Sequence, residues 1–249
     1  MRQFLCAAVA LAVITAVSAT SCDNPDLPDM LKKEGAPVTD TVRLAPFSNL
    51  DVDGNMILHL VKDSDDFAVT HFGKNLIKNV SCDYYDDASK LIIHNKTTGN
   101  IVRNNRSLPT VELHYSQLST IYTYANVLIE SSDSVDVERY VFAEQNGQLD
   151  ILSNADNLDV EVWDGAAVCR VRGKRDRLYL EARYTSVMDA SNLDVRCCRV
   201  ANYSTGDVTV SPRDTLEASI LWTGDILYSG NPVLITVQKT GKGNVVHYN

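Results

Sequence analysis

Asp150, Asp159, Glu161, Glu181, Asp189 and Asp194 are candidate catalytic acids on strand-like runs of this 249-residue chain. Two carboxylates a few ångströms apart can cleave a glycosidic bond, one giving a proton while the other activates water or attacks. A basic residue usually sits beside such a pair, yet here Lys and Arg are interspersed among the acids rather than gathered. In the coil register derived below, Asp150 and Asp189 share one column but lie two coils apart, which is ~10 Å at the usual strand spacing. The acids therefore read as solubilising outer-face residues, and no catalytic residue is assigned. A carbohydrate-active lyase or glycosidase is the alternative, and two carboxylates in a cleft on neighbouring coils would favour it.

Metal and phosphate chemistry find less support. His59, His71, His94, His114 and His247 show no metal-ligand spacing. The runs "DGN" (53–55) and "DSDD" (63–66) lack the carbonyl and bidentate-acid pattern of a calcium loop and read as turns or hairpins. Gly241-Lys242-Gly243 has neither the helix nor the Ser/Thr of a phosphate loop. No cofactor is expected. Tyrosine is abundant (11, beside 5 Phe). Tyr84, Tyr85, Tyr115, Tyr122, Tyr124, Tyr179, Tyr184, Tyr203 and Tyr228, with Trp222, are candidates for stacking on sugars or filling a partner's pocket. Tyr is also a good strand former, and that plainer role is preferred. Asn-x-Ser/Thr sequences at Asn79, Asn95, Asn105 and Asn202, and Asp-Ser/Thr-aliphatic triplets at 40–42, 133–135 and 214–216, are short enough to arise by chance.

These residues are expected to act after export. Arg2 precedes a 14-residue apolar run from Phe4 to Val17. That run is too short for a membrane span, which needs about 20 residues, and the right length for a signal-peptide core. It ends at Ala19-Thr20-Ser21-Cys22, which resembles a bacterial lipobox, except that Ala19 occupies the usual leucine position. Residues 1–21 are thus expected to be a lipoprotein signal peptide and Cys22 the lipidated first residue. The membrane would be held through that anchor, at the outer membrane of a Gram-negative envelope. Residues 22–40 are polar, hold three of the seven prolines, and read as a flexible tether with a short helical turn near Met30 to Lys33. Net charge is −9, and −10 once residues 1–21 are gone, which argues against a nucleic-acid partner. Cys82, Cys169, Cys197 and Cys198 then remain, too few for a disulfide scaffold.

Beyond residue 40 the chain is all-β: short Val-, Ile-, Leu- and Tyr-rich runs alternate at period two between turn residues. From residue 126 on, those turns recur. Asn126, Gly147, Gly165, Ser186, Gly206, Gly224 and Gly243 are 18 to 21 residues apart, and a second series runs Tyr140, Leu158, Leu178, Cys197, Leu216, Leu234. Two ladders of one period predict a solenoid with coils of about 20 residues, since one coil cannot bury its own apolar face. Two residues after the turns stand Leu128, Leu149, Ala167, Met188, Val208, Ile226 and Val245, all apolar and so placed inward. Cys169 and Cys197 are read as small buried hydrophobes. An antiparallel sandwich or barrel is the competing arrangement. Residues 41–115 are less regular but need the same stack, giving one domain over 41–249.

"RLAPFSNLDVDGNMILHL", "KLIIHNKT" and residues 187–249 resemble the head GIN domain of putative autotransporter adhesins. The most specific matches are Asp189-Ala190…Leu193, then Gly224-Asp225-Ile226…Tyr228…Gly230…Pro232, and last Gly241…Gly243. Where the family pattern has double glycines, this chain has "RYTSVMD" and "YSTGD". The resemblance implies a single-stranded right-handed parallel β-helix on a lipid-anchored envelope protein of Bacteroidetes-like bacteria. It brings an adhesin-like role, a protein or glycan partner, and no catalytic motif. A non-enzymatic interaction or structural domain is therefore expected, with a sensory envelope role as a further alternative.

Overall fold

The computed structural model describes residues 28–29, 32–85, 89–98, 107–154 and 156–248. The signal peptide and Cys22 lie outside the described residues, as do Met30, Leu31 and Asn105. The strands are β1 Pro37–Arg43, β2 Asn49–Asp53, β3 Met56–Lys62, β4 Phe67–Gly73, β5 Val80–Tyr84 and β6 Lys90–Asn95. Next come β7 Thr110–Tyr115, β8 Thr120–Thr123, β9 Val127–Val135, β10 Arg139–Phe142, β11 Asn146–Ser153 and β12 Asn157–Val162. The last are β13 Ala166–Tyr184, β14 Val187–Ser204, β15 Val208–Ile220, β16 Ile226–Tyr228, β17 Leu234–Lys239 and β18 Val245–His247. They form a β-solenoid of about six turns with coils roughly 20 residues apart.

Each coil gives one strand to each of two faces. One face runs β7, β3, β9, β11, then the first halves of β13, β14 and β15, then β16 and β18, all parallel. The other runs β6, β2, β8, β10, β12, then the second halves of β13, β14 and β15, then β17. Inward columns are apolar from coil to coil. Ile129, Leu149, Cys169, Met188, Val208 and Ile226 stack on one face, all at most 1% exposed. Leu158, Leu178, Cys198 and Leu216 stack on the other, at most 2% exposed.

The period is as expected, but individual anchors slip. Cys198, not Cys197, is buried; Ile235, not Leu234, continues Leu216; and Ile129 replaces Leu128, whereas Ala167 and Cys169 are both buried as expected. The cause is variable corner length. Arg213 and Asp214 separate Pro212, paired with Val195, from Thr215, paired with Cys197, where Arg196 alone separates the partners, so this corner is one residue longer. A one-residue slip in a strand turns every side chain to the opposite face.

The less regular first half has a topological explanation. Coil β2–β3 sits between coils β6–β7 and β8–β9, so stacking order departs from chain order. Beyond β6–β7 the stack ends in antiparallel strands, β4 on β7, β1 on β4 and β5 on β6. These seal the core, and Leu91, Ile93, Val111 and Leu113 are 0% exposed. At the other end Ile235 and Val237, on inward columns, are 40% and 48% exposed. The chain also joins the stack earlier than the boundary at residue 40 suggested. Pro37 to Asp40 already pair with Gly73 to Thr70, and Asn79 donates to Asp29 at 2.7 Å.

Corners are held by polar ladders. Asn55 Oδ1 accepts the Asn126 N–H (3.1 Å), Asn126 Oδ1 the Asn146 N–H (3.3 Å), and Asn146 Oδ1 the Ala166 N–H (3.1 Å). Farther on, Asp207 Oδ1 accepts the Asp225 N–H (2.8 Å) and Asp225 Oδ1 the Asn244 N–H (2.7 Å). The Gly-Asp dipeptides are thus scaffold corners, and "DGN" is a corner too, not a hairpin, since β2 and β3 do not pair. Gly165 is the tightest corner: its φ is +84° and a Cβ would lie 1.7 Å from the Gln145 carbonyl oxygen. Gly165→Ala is expected to destabilise by more than about 1 kcal/mol, because strain and backbone overlap coincide. Urea unfolding, read as a lowered midpoint at unchanged slope, checks this.

Candidate functional site

On the β6–β17 face the outward residues form an aromatic and charged row. Trp163 stands two residues beyond Glu161, and Arg183 two beyond Glu181, with Glu161 paired to Glu181 and Arg183 to Tyr203 across neighbouring coils. Arg139 donates to Glu161 through Nε (2.9 Å) and Nη2 (2.8 Å), and Trp163 Nε1 donates to the other carboxylate oxygen at 2.9 Å. Glu181 is held in the same way, by Arg183 Nε at 2.8 Å and the Tyr179 hydroxyl at 2.7 Å.

Rings and cations alternate along the row. Lys90 lies 5.7 Å from the Tyr122 ring centre, and Tyr122 meets Trp163 edge-on at 5.8 Å. Arg139 is 5.9 Å from Trp163, Arg183 5.0 Å from Tyr203, and Arg199 5.6 Å from Tyr179. Such contacts fix both partners while leaving ring faces available. Trp163 and Tyr203 are each 41% exposed. The row crosses β8, β10, β12, β13 and β14, about 19 Å at the parallel strand spacing.

The six acids of the sequence reading separate here. Glu161 and Glu181 come together, and Asp159 lies beside them, between Arg139 and Tyr179 in register. Burial, and then the charge of Glu161, push the Asp159 carboxyl above its ordinary value, against the pull of Arg139. Asp150 and Asp189 do share a column, with Arg170 between them, and Asp150 is bonded to Arg172. Asp189 caps the Ser191 N–H at 3.0 Å, and Asp194 pairs with Arg213 at 2.9 Å.

The histidines stay apart. His114 stacks on Phe67 and contacts Asp63 (2.9 Å) and Glu112 (2.7 Å), while His94 meets Asp53 (3.2 Å) and His247 the Gly230 carbonyl (2.9 Å). No cluster of three metal-ligating groups occurs among the described residues. "DSDD" is a turn in which Asp63 accepts the Ser64 N–H and Asp66 accepts the N–H and hydroxyl of Ser116. Tyr115 is fully buried, its hydroxyl on Asp136 at 3.1 Å, which leaves it the strand-forming role preferred above and removes it from the stacking candidates. Trp163, Arg139 and Arg183 did not figure among the sequence candidates. Their signal was spacing, since 163, 183 and 203 are one coil of 20 residues apart.

With this geometry in view, the comparisons are decisive for ancestry. The family model described as putative auto-transporter adhesin, head GIN domain, matches residues 46–232. This chain belongs to that family. Its fold is shared by a putative adhesin of Bacteroides fragilis (TM-score 0.77, 15% identity, 86% of this chain and 97% of that one). A putative lipid binding protein of Parabacteroides distasonis aligns at TM-score 0.61 (17% identity, 86% and 98%), and a putative adhesin of the same species at 0.56 (18%, 86% and 98%). No curated protein matches the sequence significantly. Membership supports an adhesin-like or binding role at the cell surface or envelope.

Acid titration followed by carboxyl carbon NMR should separate these carboxylates. Asp159 is expected to titrate above 3.8, whereas Asp176, bonded to Arg196, and Asp63, bonded to His114, titrate below it. The signs differ in consequence. The lowered pair contributes stability above pH 3.8 that is lost as acid protonates it, while Asp159 contributes stability at low pH that is lost as pH rises through its own value. Arg139→Met should move Asp159 further upward.

Proposed function

We propose that this protein is a lipid-anchored, non-enzymatic envelope protein that binds a glycan or protein partner through the Trp163–Tyr203 row. The observation that carries this reading is the row's composition. Trp, Tyr and Arg are the residues that most often dominate binding energy, and here they stand together on rigid strands with rotamers fixed by neighbours. A flat sheet face of exposed rings suits stacking on sugar or peptide planes. The adhesin-like family points the same way.

Glu161 and Glu181 are the pair that an enzyme reading would use. Acid–base cleavage needs one carboxyl protonated and the two disposed about a bound sugar. These two point outward from adjacent strands, and each has both oxygens engaged and an arginine at its side. That arrangement suits orienting the surrounding rings better than exchanging protons. Anchoring rests on the sequence: an apolar run of signal-peptide length, then Ala19-Thr20-Ser21-Cys22, then a short polar segment before the first strand. One acyl chain holds a protein only weakly, so the anchor would carry at least two.

Two experiments test these parts separately. Labelled palmitate should enter the wild type and not Cys22→Ala; equal labelling of both would remove the anchor. Chain lacking residues 1–21 is applied to panels of immobilised glycans and extracellular-matrix proteins. Trp163→Ala combined with Arg183→Ala is expected to weaken the wild-type signal about tenfold or more. Unchanged binding would exclude this row as the site.

A further inference from the structure

Away from the aromatic row, one corner of the solenoid carries a depression of about 240 Å³ lined by Asn154, Asp156, Lys174, Arg175, Asp176 and Arg213. Arg213 also lines a second, larger depression of about 490 Å³ with Ser191, Asn192 and Ser211, so the two form one groove along successive coil corners. Most of its charges are already matched. Asp176 holds Arg196 through two bonds (3.1 and 3.0 Å), and Arg213 holds Asp194 at 2.9 Å.

Arg175 is different. It is 2% exposed, and none of its three guanidinium nitrogens has a hydrogen-bond partner. Its register partner is the inward-facing Val195, and the groups acting on its charge are Tyr140, Asp136, Asp156 and Glu138. The Tyr140 hydroxyl is itself buried without a partner. Burial lowers the guanidinium to about 10, so it remains cationic at neutral pH. A buried charge is screened far less than an exposed one, so this one acts through the wall of the depression. Lys174, on the exposed rim, makes no ion pair among the described residues. Among the lining residues, with the two matched pairs set aside, Lys174 and Arg175 outnumber Asp156 by one, while Asp136 and Glu138 also act on Arg175 from outside the lining, on a chain of net charge −9.

We propose that this corner groove is a binding site for an oxyanion, a carboxylate or phosphoryl group, contacted by Lys174 and drawn in by the charge of Arg175, whose guanidinium has no hydrogen-bonded counter-ion. Guanidinium and ammonium groups serve both anions, so the chemistry fixes the class of ligand. The site stands independently of the aromatic row, and Trp163→Ala should leave it unchanged.

Thermal unfolding midpoints are measured in phosphate, acetate and glucuronate titrations against sodium chloride at constant ionic strength. A saturable rise is expected for the wild type with at least one oxyanion. Response to acetate and glucuronate assigns a carboxylate, and response to phosphate alone assigns a phosphoryl group. Lys174→Ala, an exposed position that does not threaten folding, should weaken the apparent affinity about tenfold, and Arg175→Met should abolish it. Asp156→Asn removes the opposing charge and should tighten binding severalfold. A rise that never saturates, or one that Lys174→Ala and Asp156→Asn leave unchanged, means an adventitious ion only and overturns the proposal. Should Arg175→Met fail to fold, the opposite shifts of the other two variants still decide.

Discussion

A coil of about 20 residues cannot bury its own apolar side chains, and everything else here follows from that constraint. The coil becomes stable only when its backbone pairs in register with a coil above and a coil below, so that Leu158, Leu178, Cys198 and Leu216 close over one another. The same register then dictates the surface. A residue's outward neighbours are those about 20 positions away in sequence, which is why Trp163, Arg183 and Tyr203 meet, and why Glu161 lies against Glu181. Inserting one residue in a strand would break the inner column and the outer row together.

This coupling suits binding. The outer face is stiff, its rings are held by cations on nearby strands, and Glu161 and Glu181 are occupied in positioning those cations and rings. Catalysis would ask for the reverse, a carboxyl left unpaired within a cleft. The corner groove has a different character, with polar walls and a buried guanidinium behind them. One scaffold thereby offers two chemically distinct surfaces, a flat aromatic one and a concave cationic one.

The architecture was legible in the sequence because the turns at Gly206, Gly224 and Gly243 recur, and each glycine lies so close to the preceding corner's carbonyl that no side chain fits. Individual registers were harder. Cys197 and Cys198 differ by one position and point opposite ways, and only corner lengths, such as the one extra residue at Arg213-Asp214, decide between them. The interleaving of coil β2–β3 between later coils left no periodic trace, since it depends on long-range pairing. The site was the least legible part. Trp163 and Arg139 lie on different coils, and their contact exists only once the stack is formed. Arg175 sits in "RGKRDR", which reads as a solvated basic run, yet the strand phase turns that one arginine inward.

The proposed adhesin-like role requires the solenoid to face outward from the cell, and that requirement is tested most directly by labelling intact bacteria with a membrane-impermeant amine reagent and mapping the modified lysines. Lys90, beside Tyr122 on the aromatic row, and Lys174, on the groove rim, are the reporters. The account predicts that both are labelled as fully in intact cells as in lysed ones. Labelling that appears only after lysis would contradict it.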